Sequence, residues 1–235
     1  MAQNKLARFA DLETFPNVLQ YPENMPGQWQ AFFKNPHPLV LELACGKGEY
    51  AVGLGRLYPG RNFIGVDQKG NRIWVGARKA LQEPLPNVAF LRTQIDQIAQ
   101  YFAPGEVEEI WITFPDPQLR NGKMRKRLTH PKFLRLYHQF LKPGGRINLK
   151  TDSPDLYKFT KLVIAQYNCT VHTDFDHVRE QAADHPELSI RTHYEGLDIA
   201  GSSRIHYLCF SLPETLAGLE QDAVLKQTVM ADGLD

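Results

Sequence analysis

The sequence predicts an α/β fold, a mostly parallel sheet covered by helices on both faces. Three observations predict it. Short apolar, strand-like runs alternate with segments of helical period from residue 39 to residue 212. A glycine loop closes the first of these strands and leads into a helix. No linker and no internal repeat divides the 235 residues, a length that suits a single domain able to bury a core without staples.

In order, Leu39-Val40-Leu41-Glu42-Leu43 reads as a buried strand, followed by the loop Gly46-Lys47-Gly48 and a helix through Leu57. Residues 61–67 form a second strand. Asn71 to Gln82 carries Ile73, Ala77, Ala80 and Leu81 at helical spacing, and Pro84 ends it. Val88–Arg92 is a third strand, with a short helix near Ile95–Phe102. Glu109–Phe114 is a fourth, broken by Pro115-Asp116-Pro117. A helix over Phe133–Leu141 stops at Pro143-Gly144-Gly145, and Arg146–Asp152 is a fifth strand. Asp155–Tyr167 is a helix, and Thr170–Asp174 and Arg204–Leu212 complete a seven-stranded sheet. Residues 1–38, punctuated by Pro16, Pro22, Pro26, Pro36 and Pro38, predict an irregular extension. Residues 213–235, polar and acidic, predict a loosely ordered tail.

Composition excludes several classes. No apolar run approaches the roughly 20 residues of a membrane-spanning helix. The opening MAQNKLARFADLETF fits neither a signal nor a transit peptide, so the expected location is the cytoplasm. Cys45, Cys169 and Cys209 are scattered, which argues against a disulfide framework and a zinc site, and the eight histidines form no spaced metal cluster. Net charge is +1, from 27 basic and 26 acidic residues, but it is unevenly divided. Between Pro117 and Thr151 stand ten Lys/Arg and no acid, leaving 17 basic and 26 acidic residues elsewhere. Such a block fits a polyanionic partner approached from one side, or else a solvated basic helix.

Gly46-x-Gly48-x-x-Ala51, with Asp67 nineteen residues beyond Gly48, satisfies a nucleotide-binding fingerprint in which the acid accepts the ribose hydroxyls. Glu42, just before the loop, argues against a pyrophosphate, because like charges at close range disfavour each other. A cationic sulfonium nucleoside such as S-adenosylmethionine has no phosphate and suits an acid there. In Phe114-Pro115-Asp116-Pro117 the two prolines restrict the backbone on both sides of Asp116. A carboxylate is thereby held at a strand's C-terminal end, where ligands of such sheets bind, immediately before the basic block.

At these residues the chain resembles the bacterial tRNA (guanine-N7)-methyltransferase family. The matching motifs are Glu42-Leu-Ala-Cys-Gly-Lys-Gly48, Phe63-Ile-Gly-Val-Asp67, Phe114-Pro-Asp-Pro117 followed by Arg120 and Lys126-Arg127-Leu128, then Lys150-Thr-Asp152 and Thr192-His-Tyr-Glu195. The resemblance implies a Rossmann-like class I methyltransferase fold that transfers a methyl group from S-adenosylmethionine to N7 of the variable-loop guanine, position 46, of tRNA. It implies Glu42, Gly46, Gly48, Asp67, Gln94 and Asp116 as cofactor-binding residues, with Asp116 also the active-site acid. It implies Arg120, Asp152, Thr192, His193, Tyr194 and Glu195 as substrate-binding residues, with no metal and no obligate protein partner. The chain departs from the family at Ala44, where many members have glycine, and at Gln118, where Trp is frequent. It departs again at Arg120, where Lys is frequent, and at Gln94, where many have Asp, with Asp96 two residues on.

Rival readings remain at this point. An exocyclic amino-group methyltransferase wants an aromatic directly after a Pro-Pro pair, and Asp116-Pro117-Gln118 lacks it. A nicotinamide-linked oxidoreductase is disfavoured by Glu42. A non-catalytic RNA-binding protein would need no cofactor acids.

Overall fold

A computed structural model describes residues 2–120, 122–181, 184–193, 195 and 204–234. Along the chain the elements are α1 (Ala2–Thr14), β1 (Val18–Gln20), α2 (Trp29–Phe33), β2 (Leu39–Leu43), α3 (Glu49–Leu57), β3 (Asn62–Asp67), α4 (Gly70–Gln82) and β4 (Val88–Arg92). A 3-10 helix (Ile95–Tyr101) leads to β5 (Val107–Thr113), α5 (Pro131–Tyr137), β6 (Leu141–Thr151), α6 (Pro154–Gln166), β7 (Thr170–Phe175), α7 (Val178–Gln181), β8 (His206–Ser211) and α8 (Glu220–Ala231).

The sheet runs β1-β4-β3-β2-β5-β6-β8-β7. Every pairing from β1 to β6 is parallel, and β8 joins β6 and β7 antiparallel. β2 is central and all five of its residues are buried, as expected of a parallel strand covered on both faces. Its alternation sorts the core. Leu39, Leu41 and Leu43 pack with Ile64, Val66, Ile110 and Ile112 on one face. Val40 packs with Tyr50, Ala51, Leu54, Phe63, Phe90 and Trp111 on the other. From β2 the chain builds β3 and β4 outward on one side and then crosses to β5 and β6. The order therefore reverses between β2 and β5, and their C-terminal ends flank the crevice where ligands of such sheets bind.

The α/β prediction holds, and the structure corrects five details. An eighth strand, β1, pairs with β4 through Val18↔Phe90. The N-terminal extension is not irregular, because α1 docks on α4. Leu12 is buried, Trp74 Nε1–H donates to Asp11 at 2.8 Å, and a Cβ at Gly70 would lie 2.7 Å from the Phe9 ring. The acidic tail is also ordered. α8 buries Leu225 and Val229, worth about 1.5–3 kcal/mol each, and Asp222 accepts two bonds from Arg135 at 2.5 and 3.1 Å. The helix expected over Phe133–Leu141 is shifted, because Pro131 starts α5 and the His130 side chain caps it, accepting from Lys132 N–H at 3.0 Å. β6 then begins at Leu141, before the expected Arg146, and takes in Pro143-Gly144-Gly145 at a register shift against β5.

Candidate active site

β2 ends in a loop whose residues alternate into the left-handed region: Ala44 at φ +55°, Gly46 at +55° and Gly48 at +69°. Gly48 must lack a side chain, since a Cβ would collide with the Phe90 ring. Gly48 N–H donates to the Cys45 carbonyl at 2.8 Å and turns the chain into α3. Ala44 adopts the left-handed conformation with its Cβ in place, at a cost of about 1–2 kcal/mol.

Glu42 lies below this loop, 3% exposed. One carboxylate oxygen accepts Ala51 N–H at 2.8 Å, capping the first turn of α3, and the other accepts the Thr113 hydroxyl at 3.1 Å. Thr113 is the last residue of β5, so Glu42 ties the glycine loop to the strand that carries the reaction loop. Burial pushes the Glu42 carboxyl up to about 8, against the lowering effect of the Ala51 and Thr113 bonds, with Glu49 and Asp67 raising it further. Asp67, at the end of β3, accepts Gly46 N–H at 3.0 Å and Lys69 N–H at 2.8 Å. Burial and the same three carboxylates push the Cys45 thiol well above its usual range. The loop is thus an acid-rich, low-dielectric pocket edge. A cationic nucleoside favours the ionised form of these carboxyls and a pyrophosphate would oppose it, so the residues fit S-adenosylmethionine.

β5 delivers the second segment. Phe114 takes φ +45°, a strained value for a bulky residue, and its N–H donates to the Lys150 carbonyl of β6 at 2.8 Å. Pro115 and Pro117 then hold Asp116 out to solvent. One Asp116 carboxylate oxygen accepts Gln118 N–H at 3.0 Å, a local turn that fixes its direction. The loop is braced from beneath by Arg127, 1% exposed, which donates to the carbonyls of Pro117 at 3.2 Å and Leu234 at 2.6 Å and lies over the Phe159 ring.

The third segment approaches over β6. Lys150 is fully buried and donates to the carbonyls of Leu188 at 2.9 Å and Ile190 at 3.0 Å and to the Glu195 carboxylate at 3.0 Å. Burial lowers its pKa, and Glu195 opposes that shift. Glu195 N–H donates to the Thr192 hydroxyl at 3.1 Å, so two of the residues expected to hold substrate brace each other, and His193 between them is exposed. Asp152 is half-buried just past β6, and Arg120 is exposed four residues after Asp116. Tyr194 lies outside the described residues. At the end of β4, Gln94 is exposed, while Asp96 is ion-paired with Lys132.

Three dimensions divide the basic block. Arg120, Lys123, Arg125 and Lys126 are exposed beside the reaction loop with no ion pair among the described residues. Lys132 pairs with Asp96, Arg135 with Asp222 and Lys142 with Glu108. Arg127 and Lys150 are buried. Their bracing roles were missed in the sequence, where charge counting registers a cation without its depth. The hint was their alternation with apolar residues, Leu128 after Arg127 and Leu149 before Lys150.

Comparison with known proteins agrees with this geometry. The family model described as "Putative methyltransferase" matches residues 36–205. A tRNA (guanine-N(7)-)-methyltransferase of Bacteroides thetaiotaomicron is 47% identical over 91% of this chain and 88% of its own length. Another protein of that name, from Porphyromonas gingivalis, is 49% identical over 86% of this chain and 87% of its own. Among solved structures, the 16S rRNA methyltransferase KamB superposes with a TM-score of 0.60 at 15% identity, covering 80% of this chain and 94% of that one, a likeness of fold. With such identity along nearly its whole length, the chain belongs to the tRNA (guanine-N(7)-)-methyltransferase family.

Proposed function

We propose that the guanine methylated by this S-adenosylmethionine-dependent tRNA (guanine-N7)-methyltransferase is the one at position 46 in the variable loop, and that Asp116 is its catalytic acid. The observation that carries this reading is the placement of Asp116. It projects from the strained Phe114 turn at the C-terminal end of β5, one strand from the acid-lined glycine loop, and four exposed cations follow it.

When bound, S-adenosylmethionine supplies an electrophilic methyl group on a positively charged sulfur. Asp67 is placed to take the ribose hydroxyls, and Gly46 and Gly48 open the loop to the nucleoside. Glu42 acts from below, as a loop brace whose ionised form a bound cation favours. Gln94 is assigned to the adenine edge, because Lys132 already occupies Asp96. Guanine N7 carries a lone pair and no proton at neutral pH, so the protein has no proton to remove before transfer. Its task is alignment and charge. Alignment to about 3–3.5 Å falls to Asp116, Arg120, Asp152 and the Thr192–Glu195 segment. The purine gains positive charge as N7 is alkylated, and the carboxylate of Asp116 stabilises it. Asp116 and Glu195 can also accept from guanine N1–H and N2–H₂, which adenine does not offer together. The reading places the enzyme in the cytoplasm with its tRNA.

Asp116→Asn tests the assignment. Turnover should fall by about 10²–10³ while the Kd for tRNA changes less than about threefold. Unchanged turnover removes Asp116 from the reaction.

A further inference from the structure

We propose that Lys150 is a positioning residue for guanine recognition, joining the reaction loop to the Thr192–Glu195 segment and taking no part in phosphate binding. The inference rests on the reading above that these two segments hold the substrate guanine.

Lys150 is a basic residue with its side chain wholly withdrawn from solvent. An ammonium has three donors, and here it has three acceptors: the carbonyls of Leu188 and Ile190 and the carboxylate of Glu195. Burying an ammonium is costly unless it is paired and hydrogen-bonded, so the fold retains this charge for what it holds. Its other neighbours belong to the site. The Tyr50 ring of α3 lies 5.4 Å from Nζ and the Phe114 ring 5.5 Å from it. The Lys150 carbonyl receives the Phe114 N–H, so one residue fastens the reaction loop by its backbone and the substrate segment by its side chain. The partners lie 38 to 45 residues away in sequence, and two further contacts among the described residues hold the stretch before Thr192. Ile190 packs against Gly53, and Glu187 accepts from the Tyr58 hydroxyl at 2.8 Å. Both precede Thr192, whereas Lys150 reaches the Glu195 carboxylate itself, whose backbone N–H is held by Thr192.

The test uses the full-length enzyme with Lys150→Met, which keeps the length of the stem and removes the ammonium, and Glu195→Gln, which leaves both carbonyls on the ammonium. Circular dichroism and calorimetric S-adenosylmethionine binding establish that each variant is folded. Kd values are then measured for a transcript with guanine at position 46 and for its adenine substitution, across a salt series. For Lys150→Met the preference for guanine should fall by about tenfold, with turnover falling alongside it. The slope of log Kd against log salt should stay that of the natural enzyme. A slope reduced by about 0.7–0.9, with both transcripts weakened equally, would make Lys150 a phosphate contact and overturn the proposal. Retained preference and turnover would overturn it as well. If Lys150→Met does not fold, Glu195→Gln decides: it should lose part of the guanine preference, and a natural preference in that variant overturns the proposal. A natural enzyme with no guanine preference would instead defeat the reading of the site.

Discussion

At the residue scale, Glu42 and Ala44 make opposite demands on the protein, and both can be measured. A carboxyl raised to about 8 in the folded chain ionises near 4.5 when unfolded, so the unfolded state holds fewer protons between those values. Stability is therefore lost as pH rises from 4.5 to 8, and the loss is complete above that range. Glu42→Gln, which can keep the bonds to Ala51 and Thr113, should melt at a higher temperature than the natural chain at pH 8.5, with the gap closed near pH 4. The same variant should bind S-adenosylmethionine about tenfold more weakly in calorimetry at pH 8.5, where the natural carboxyl is ionised and favours a cation, and the difference should shrink as pH falls towards 6. Ala44→Gly releases left-handed strain and adds chain entropy to the unfolded state, for a net gain of about 0.5–1 kcal/mol. In a thermal melt that is a rise of about 1–4 °C. Glu42, Asp67, Gly48 and Asp116 were readable in the sequence because each sits in a contiguous motif whose spacing encodes a strand and its loop. Lys150 and Arg127 were misread as surface charge because what makes them structural lies 38 or more residues away, at Leu188 and Leu234.

At the scale of elements, α8 is tied to the reaction loop. Arg127 stands between the Pro117 carbonyl and the carbonyl of Leu234 just past α8, and Arg135 of α5 holds Asp222 in the first turn of α8. Arg127→Met strips donors from buried carbonyls and should cost about 1–3 kcal/mol in a denaturant titration. It should also lower turnover with little change in S-adenosylmethionine affinity, because the loop it braces carries Asp116 while Glu42 and Asp67 lie elsewhere. Normal stability and turnover in this variant would dissociate the tail from the site. The sequence showed the alternation from β2 to β8 because buried parallel strands and their covering helices have strong periodicity. It did not show α1 or α8. Each buries few apolar side chains, Leu12 in one and Leu225 and Val229 in the other, and each leans on distant partners, Gly70 and Trp74 or Arg135.

At the scale of the whole molecule, charge and topology both point to the C-terminal ends of the central strands. Arg120, Lys123, Arg125 and Lys126 follow the C-terminal end of β5 in the chain and are exposed, whereas Lys142 and Arg146 lie in the first half of β6. If those four cations neutralise four phosphates, log Kd for tRNA should vary with log salt with a slope of about 3 in magnitude. Lys126→Ala should reduce that slope by about 0.7–0.9, and Arg146→Ala should leave it unchanged. An equal effect of both substitutions would spread the tRNA footprint over the whole molecule. The central claim, that this site methylates N7 of the guanine at position 46, is tested most directly by methyl transfer from labelled S-adenosylmethionine. The substrates are an unmodified tRNA transcript and the same transcript with adenine at that position, followed by nucleoside analysis. Label is expected as N7-methylguanosine on the guanine transcript and none on the other. Label on both transcripts, or on an exocyclic amino group, would contradict it.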